Sequence, residues 1–310
     1  MIAVVGSSNT DFSLRVEKLP AVGETVLGKE LFISGGGKGA NQAACIAKLG
    51  GEVNFIANIG AEYFGNLSIK NLDKVGVDTR FVKKDRIHHS GTAFILIDKC
   101  GRNMIAVSAG SNMFLKASDI IKRADCIKKS RILLLQCEVP IEAVKAAVYL
   151  AKRFNKLIIL NPAPACKISK DILSKVDVLI PNEIELSMLT GVNVSDTTLI
   201  NRDTAVPDTL RKAATLLLKT GVGCVIITLG KKGVLLVTKG KTKFFKAKKV
   251  KVVDTTCAGD AFCGAFAFGL DNGKSIEEAI EFATCVAALT CTKVGAQSSL
   301  PTLKRVTRLL

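Results

Sequence analysis

The chain has 310 residues, 48% hydrophobic and 23% charged, which excludes wholesale disorder and supplies a sizeable core for one large domain, or one domain with a small appendage. Lys and Arg number 44 against 27 Asp and Glu, for a net charge of +17. The basic residues are spread along the chain, with short clusters at Lys128-Lys129, Lys231-Lys232 and Lys246 to Lys251; aromatics are 5% and Trp is absent. A basic surface that aids solubility or attracts anionic metabolites is therefore favoured over a nucleic-acid interface.

In chain order, Ile2–Ser7 reads as a strand rather than a signal peptide. Phe12–Ser34 alternates apolar and polar residues between the turn signals Pro20, Gly23 and Gly28. Asn41–Leu49 has helical spacing and stops at Gly50-Gly51, and Val53–Asn58 is an apolar run of strand length. Thr92–Val107 alternates again, around Cys100-Gly101. Strand runs follow at Ile132–Gln136, Leu157–Leu160, Val178–Ile180, Cys224–Leu229 and Val234–Thr238. Helical patterns lie between and after them at Ile141–Phe154, Thr209–Lys219 and Ile276–Cys291, the last opened by a capping box of Ser275 and Glu278. The polar stretch Asn193–Asp208 reads as an exposed loop.

Continuous apolar strands alternating with helices predict an α/β fold, with a mostly parallel central sheet flanked by helices. The two alternating segments predict a small antiparallel sheet, placed as a lid beyond the strand C-termini or else as an ordinary edge hairpin. One domain is expected over 1–310, with lid strands from about 12–34 and 92–107. No apolar run approaches the roughly 18 residues of a membrane span. The ten cysteines contain no C-x-x-C pair, and most sit in apolar stretches. They read as small buried hydrophobes in a reducing compartment, so a cytoplasmic protein with no membrane or nucleic-acid partner is expected.

Four motifs can carry chemistry. In Val252-Val253-Asp254-Thr255-Thr256-Cys257-Ala258-Gly259-Asp260 a β-type run enters a small-residue turn and then a helix. Free amides at that helix start suit a phosphate. Asp260 is there either a plain N-cap or a base for an attacking hydroxyl. Gly35-Gly36-Gly37-Lys38-Gly39-Ala40-Asn41 runs into a helix but lacks the G-K-[ST] of a P-loop. Asn9-Thr10-Asp11 offers an amide and a carboxylate for vicinal hydroxyls, or a turn-forming Asx pair. Asn182-Glu183-Ile184-Glu185 offers oxygens for Mg²⁺, often through water, or simply acids at a helix N-terminus.

These residues, with Gly6 to Asp11, Pro20 to Thr25, Gly36 to Gln42, Asn161 to Ala165, Thr228-Leu229-Gly230 and Gly295 to Pro301, resemble the ribokinase/pfkB family of sugar kinases over nearly the whole chain. The Gly37–Asn41 loop, Asn161–Ala165 and Gly295–Pro301 resemble its ribose kinases more than those for fructose or adenosine. The resemblance implies phosphoryl transfer from ATP to O5 of D-ribose, with 2-deoxyribose, another sugar or a nucleoside as the alternative acceptor. It implies that Asn9, Asp11, Gly37, Lys38, Gly39, Ala40, Asn41 and Glu138 bind the sugar and that Asp260 is the general base. Ala258, Gly259 and Asp260 would form an anion hole. Asn182, Thr228, Leu229, Gly230, Lys231, Lys232, Gly233 and, near adenine, Thr284 would line the ATP site with Gly259 and Asp260. Glu185 would help hold Mg²⁺ through water. Asp254, Thr256, Thr290, Lys293, Gly295 and Ser299 would surround K⁺, several through backbone carbonyls. A homodimer through the lid sheets is implied as well. Cys257 departs from the pattern, standing where such chains more often carry Gly or Ala.

Overall fold

The computed structural model describes residues 1–194 and 207–309. The loop expected at Asn193–Asp208 falls mainly on residues 195–206, outside the described residues. In chain order the strands are β1 (Ile2–Val5), β2 (Asn9–Val16), β3 (Gly28–Gly36), β4 (Val53–Ile56), β5 (Asn58–Gly60), β6 (Lys83–Asp85) and β7 (Gly91–Ile97). They continue with β8 (Asn103–Ser108), β9 (Ile132–Leu135), β10 (Leu157–Leu160), β11 (Val178–Leu179), β12 (Cys224–Thr228), β13 (Gly233–Val237) and β14 (Thr242–Lys246).

The main sheet has the order β14-β13-β12-β11-β10-β9-β1-β4. Pairing is parallel from β12 through β4 and antiparallel for β12–β13 and β13–β14. The reversal at β13 has a simple cause. Only Leu229 to Lys232 separate it from β12, and a parallel return needs a crossover of roughly a dozen residues or more. Strand β14 was not legible in the sequence: it is an edge strand, and its Lys243 and Lys246 interrupt the apolar signal while blunting the edge.

Side chains alternate across the sheet. Ile2 and Val4 enter one apolar layer with the helices Lys38–Lys48, Ala258–Asp271 and Ile276–Thr290. Ala3 and Val5 enter the other, with Ile141–Arg153 and Asp208–Lys219. The capping box of Ser275 and Glu278 opens Ile276–Thr290 as expected.

Two helices of the first layer meet at Gly264, where an added Cβ would lie 2.7 Å from the Gln42 carbonyl oxygen and 2.9 Å from Cys45 Cβ. Alanine is the better helix former by about 0.8–1 kcal/mol, but overpacking against backbone costs about 1–3 kcal/mol. Gly264→Ala is therefore expected to lower the thermal midpoint despite its helix propensity, as calorimetry would show.

A second sheet, of order β3-β2-β7-β8, stands apart from the first, which sets aside the edge-hairpin alternative. Its β2–β3 and β7–β8 pairs are antiparallel as expected, and they are joined by a parallel β2–β7 pair that starts at Asn9 opposite Gly91. Leu31, Phe32, Ile33, Phe94, Met104, Ile105 and Val107 of this sheet are exposed. All ten cysteines are free thiols; five are buried and Cys100 is exposed. No helix among the described residues is long and apolar enough to cross a membrane.

Candidate active site

The turn before helix Ala258–Asp271 is tied by Asp254. Its Oδ1 accepts from the Thr256 amide (2.9 Å) and hydroxyl (2.7 Å), and its Oδ2 accepts from the Gly295 amide (2.9 Å). Cys257 caps the helix at φ 67°, a left-handed conformation that glycine adopts most easily and other residues adopt at a cost. Asp260 is the third helical residue and not the cap, so the N-cap alternative fails. The Ala258 amide already donates to the Thr255 carbonyl at 3.2 Å. The donors best placed for an anion at this positive helix end are thus the Gly259 and Asp260 amides, with Ala258 held back by its own bond.

Asp260 is buried, 8% exposed as a residue. Asn41 Nδ2 donates to its Oδ2 (2.8 Å), and Gln42 Nε2 donates to its Oδ1 (3.4 Å). Burial pushes its pKa up, while Lys38 and the Asn41 donor oppose the shift. A raised carboxylate in a cleft suits a group that must take up a proton. For Lys38, burial pulls the ammonium down, but the charges of Asp260, Glu138 and Glu185 leave it above its ordinary value. Lys38 thus remains a fixed cation inside a ring of carboxylates.

On the side facing the small sheet, Gly37 turns the chain at φ 85° into helix Lys38–Lys48, and the Ala40 amide donates to the Ser7 carbonyl at 2.8 Å. Ala40 is fully buried. Glu138 Oε2 accepts from the Ser7 hydroxyl (2.5 Å) and the Lys38 amide (3.0 Å). Burial, then the charges of Glu138 and Asp260, push the Asp11 carboxyl up to about 7. Asn9 and Asp11 begin β2 rather than forming a turn, and Asn9 Oδ1 accepts from Asn112 Nδ2 at 2.8 Å. Asn112 was not found from the sequence.

A cavity of about 150 Å³ lies on the other side of Asp260, and its walls include Lys38, Asn182, Glu185, Thr228, Cys257, Ala258 and Gly259. The helix-N-terminus reading of the Asn182 segment holds. Asn182 and Glu185 form a capping box, with the Asn182 amide on Glu185 Oε2 (2.8 Å), Asn182 Nδ2 on Oε1 (2.9 Å) and the Glu185 amide on Asn182 Oδ1 (2.8 Å), and both side chains still face the cavity. Burial holds the Glu185 carboxyl above its usual range.

From Thr228 the chain turns through Gly230, Lys231 and Lys232 to Gly233, and the Leu229 amide donates to the Gly233 carbonyl at 2.9 Å. Leu229 is buried in the core. Thr284 is not a wall of this cavity: it is buried, and its hydroxyl donates to the Ile280 carbonyl at 2.7 Å.

Around Asp254, the Thr290 and Ser299 hydroxyl protons are committed to the Val286 (2.9 Å) and Ala296 (2.7 Å) carbonyls. The Lys293 amide donates to the Thr290 carbonyl at 3.3 Å, and the Lys293 side chain is exposed.

The family described as pfkB family carbohydrate kinase matches residues 1–303. The chain belongs to this family. The pfkB resemblance read from the motifs is thereby borne out, as is the α/β fold with its second small sheet. The ribokinase of Haemophilus influenzae is 39% identical over 301 residues, covering 97% of this chain and 95% of that one. The deoxyribokinase of Salmonella typhi is 36% identical over 305 residues, covering 98% and 96%. The structure of Arabidopsis thaliana ribokinase complexed with ribose and ATP superposes with a TM-score of 0.90 at 34% identity, covering 99% of this chain and 97% of that one. As a pfkB kinase, the chain transfers phosphoryl groups to a carbohydrate. Its walls divide accordingly into a carboxylate-rich side next to the small sheet and an amide-rich side at the helix start.

Proposed function

We propose that this pfkB kinase transfers the γ-phosphoryl group of ATP to O5 of D-ribose, giving ribose 5-phosphate and ADP. The observation that carries the reading is the position of Asp260. Its buried carboxylate stands between the hydroxyl-binding side (Asp11, Asn41, Glu138) and the amides that open its own helix. Asp260 takes the proton of the sugar's primary hydroxyl as that oxygen bonds to the γ-phosphorus, and the bond from phosphorus to the ADP oxygen breaks. Little covalent work is asked of the protein beyond placement and charge stabilisation. The Gly259 and Asp260 amides, with Lys38, face the negative charge on the phosphoryl oxygens. The small sheet closes over the sugar and excludes water, so residues 1–310 act as one kinase domain whose lid comes from about 12–34 and 92–107.

Glu185 fits a Mg²⁺ that arrives on ATP. Each of its oxygens accepts one Asn182 N–H and keeps lone-pair capacity for a metal-bound water. Among the described residues no group of three or more His, Cys, Asp or Glu is placed to hold a metal. When bound, Mg²⁺ neutralises phosphate charge. K⁺ is assigned to Asp254, Thr256, Thr290, Lys293, Gly295 and Ser299, where the Asp254 carboxylate already ties the turn to Thr256 and Gly295; bound there, it would fix the 254–260 turn from outside the reacting centre. Replacing K⁺ by tetramethylammonium is then expected to lower kcat by about 5–150-fold, the range of a coupling of about 1–3 kcal/mol. Unchanged activity would remove the K⁺ assignment.

The exposed apolar face of the small sheet suits a homodimer through the lids. Free thiols and an ATP substrate suit the cytoplasm. The likeness to a deoxyribokinase keeps 2-deoxyribose as the second reading. Coupled ADP release across ribose, 2-deoxyribose, fructose and adenosine decides. Highest kcat/KM on ribose supports the proposal, and a preference for any other acceptor overturns it.

A further inference from the structure

Three buried amides stand behind Asp260, and none of them was assigned a role from the sequence. Gln42 lies one residue past Asn41 on helix Lys38–Lys48 and is fully buried. Its Nε2 donates to Asp260 Oδ1 (3.4 Å) and to Asn161 Oδ1 (3.3 Å). Its Oε1 accepts from Gln136 Nε2 at 2.6 Å. Asn161 cannot reverse its own amide without loss, because its Nδ2 donates to the Ile180 carbonyl at 2.9 Å. If Gln42 were flipped, its oxygen would face two other oxygens, on Asp260 and Asn161, and its NH₂ would face the NH₂ of Gln136. The orientation of Gln42 is thus anchored at the Asn161 end and completed by the Gln136 donor at the other.

Gln136 is the informative member. It is fully buried directly after β9, and among the described residues its Oε1 has no hydrogen-bond partner. That oxygen occupies space left by Gly6, where an added Cβ would lie 1.9 Å from it. A buried amide with an unpaired oxygen is a poor stabilising device. What the arrangement secures is the single donor bond to Gln42.

We propose that Gln136 is a positioning residue for the phosphoryl transfer, acting through Gln42: it turns the Gln42 NH₂ onto Asp260 and so holds the base carboxylate in its reacting orientation. The inference rests on the reading of Asp260 as general base.

The test is steady-state kinetics on Gln42→Met, Gln136→Met and the double variant, with Asp260→Asn as reference. Methionine conserves length and volume while removing the donors. Gln42→Met is expected to lower kcat by about tenfold or more, a loss in the range that misplacing a reacting group produces. Gln136→Met is expected to lower kcat severalfold, with sugar and ATP KM within about twofold of the parent, a split that a packing role would not give. Gln136→Met should leave the thermal midpoint near the parent's, since it removes one unpaired buried oxygen and leaves another, on Gln42. The double variant should be no slower than Gln42→Met, because Gln136 acts only through Gln42.

Parental kcat in Gln136→Met, or a double variant whose loss is the product of the two single losses, overturns the inference. If Gln42→Met does not fold, the kcat and KM of Gln136→Met decide alone. Full activity in Asp260→Asn instead overturns the base assignment itself, so the two failures are told apart.

Discussion

Asp260→Asn is expected to lower kcat by about 10²–10⁴, the usual contribution of a positioned general base, while ATP affinity stays nearly unchanged. The amide is close in size to the carboxylate and can still accept a hydrogen bond from Asn41, so the helix start and its free amides should persist. What is lost is the basic oxygen. Burial raises the Asp260 pKa, and Lys38 with the Asn41 and Gln42 donors pulls against that rise. The side chain is therefore more basic than an ordinary aspartate. Single-turnover phosphoryl transfer, with nucleotide binding followed by titration, separates the two effects. Parental kcat in this variant would remove Asp260 as the base.

Asp11 is expected to act on the sugar alone. Asp11→Ala removes charge-assisted hydrogen bonds to hydroxyls, at about 1.5–3 kcal/mol each. Two such bonds, partly replaced by water, correspond to roughly a hundredfold rise in sugar KM, with ATP KM little changed. The same carboxylate has a pH signature in stability. Its pKa rises from 3.8 to about 7 on folding, so between those values the native state holds the proton that the unfolded chain releases. Native stability therefore falls as pH rises through this window and levels off above about 7. Asp11→Asn should melt above the parent at pH 8, with the difference closing toward pH 4. A variant that melted below the parent at pH 8 would contradict the buried, crowded site described for Asp11.

The sheet strands were legible because strands buried on both faces are continuous apolar runs, as in Ile132 to Leu135. Edge strand β14 was not, because a strand with one row of neighbours carries lysines. The parallel joint between β2 and β7 was not legible either, since alternation gives the faces of a strand and says nothing about its partner's direction. At the site, the small-residue turn at 254–260 and the glycine-rich start of helix Lys38–Lys48 stood out by composition. Gln42 stood within the Gly36 to Gln42 motif without a role of its own, and Gln136 did not stand out, although a polar residue closing the apolar run Leu133 to Leu135 is the signal that could have pointed to it.

By itself, then, the sequence determined the layers of the fold, the phosphate-type turn and the family. Those follow from local periodicity, from turn chemistry and from motif residues a few positions apart. The tertiary structure decided that Asn41 and Gln42 reach Asp260 across 219 and 218 residues of chain, and that the Ala258 amide is already engaged. It also decided which way each buried amide points. These are consequences of two helices closing on Gly264 and of hydrogen bonds among groups distant in sequence, and no spacing rule encodes them.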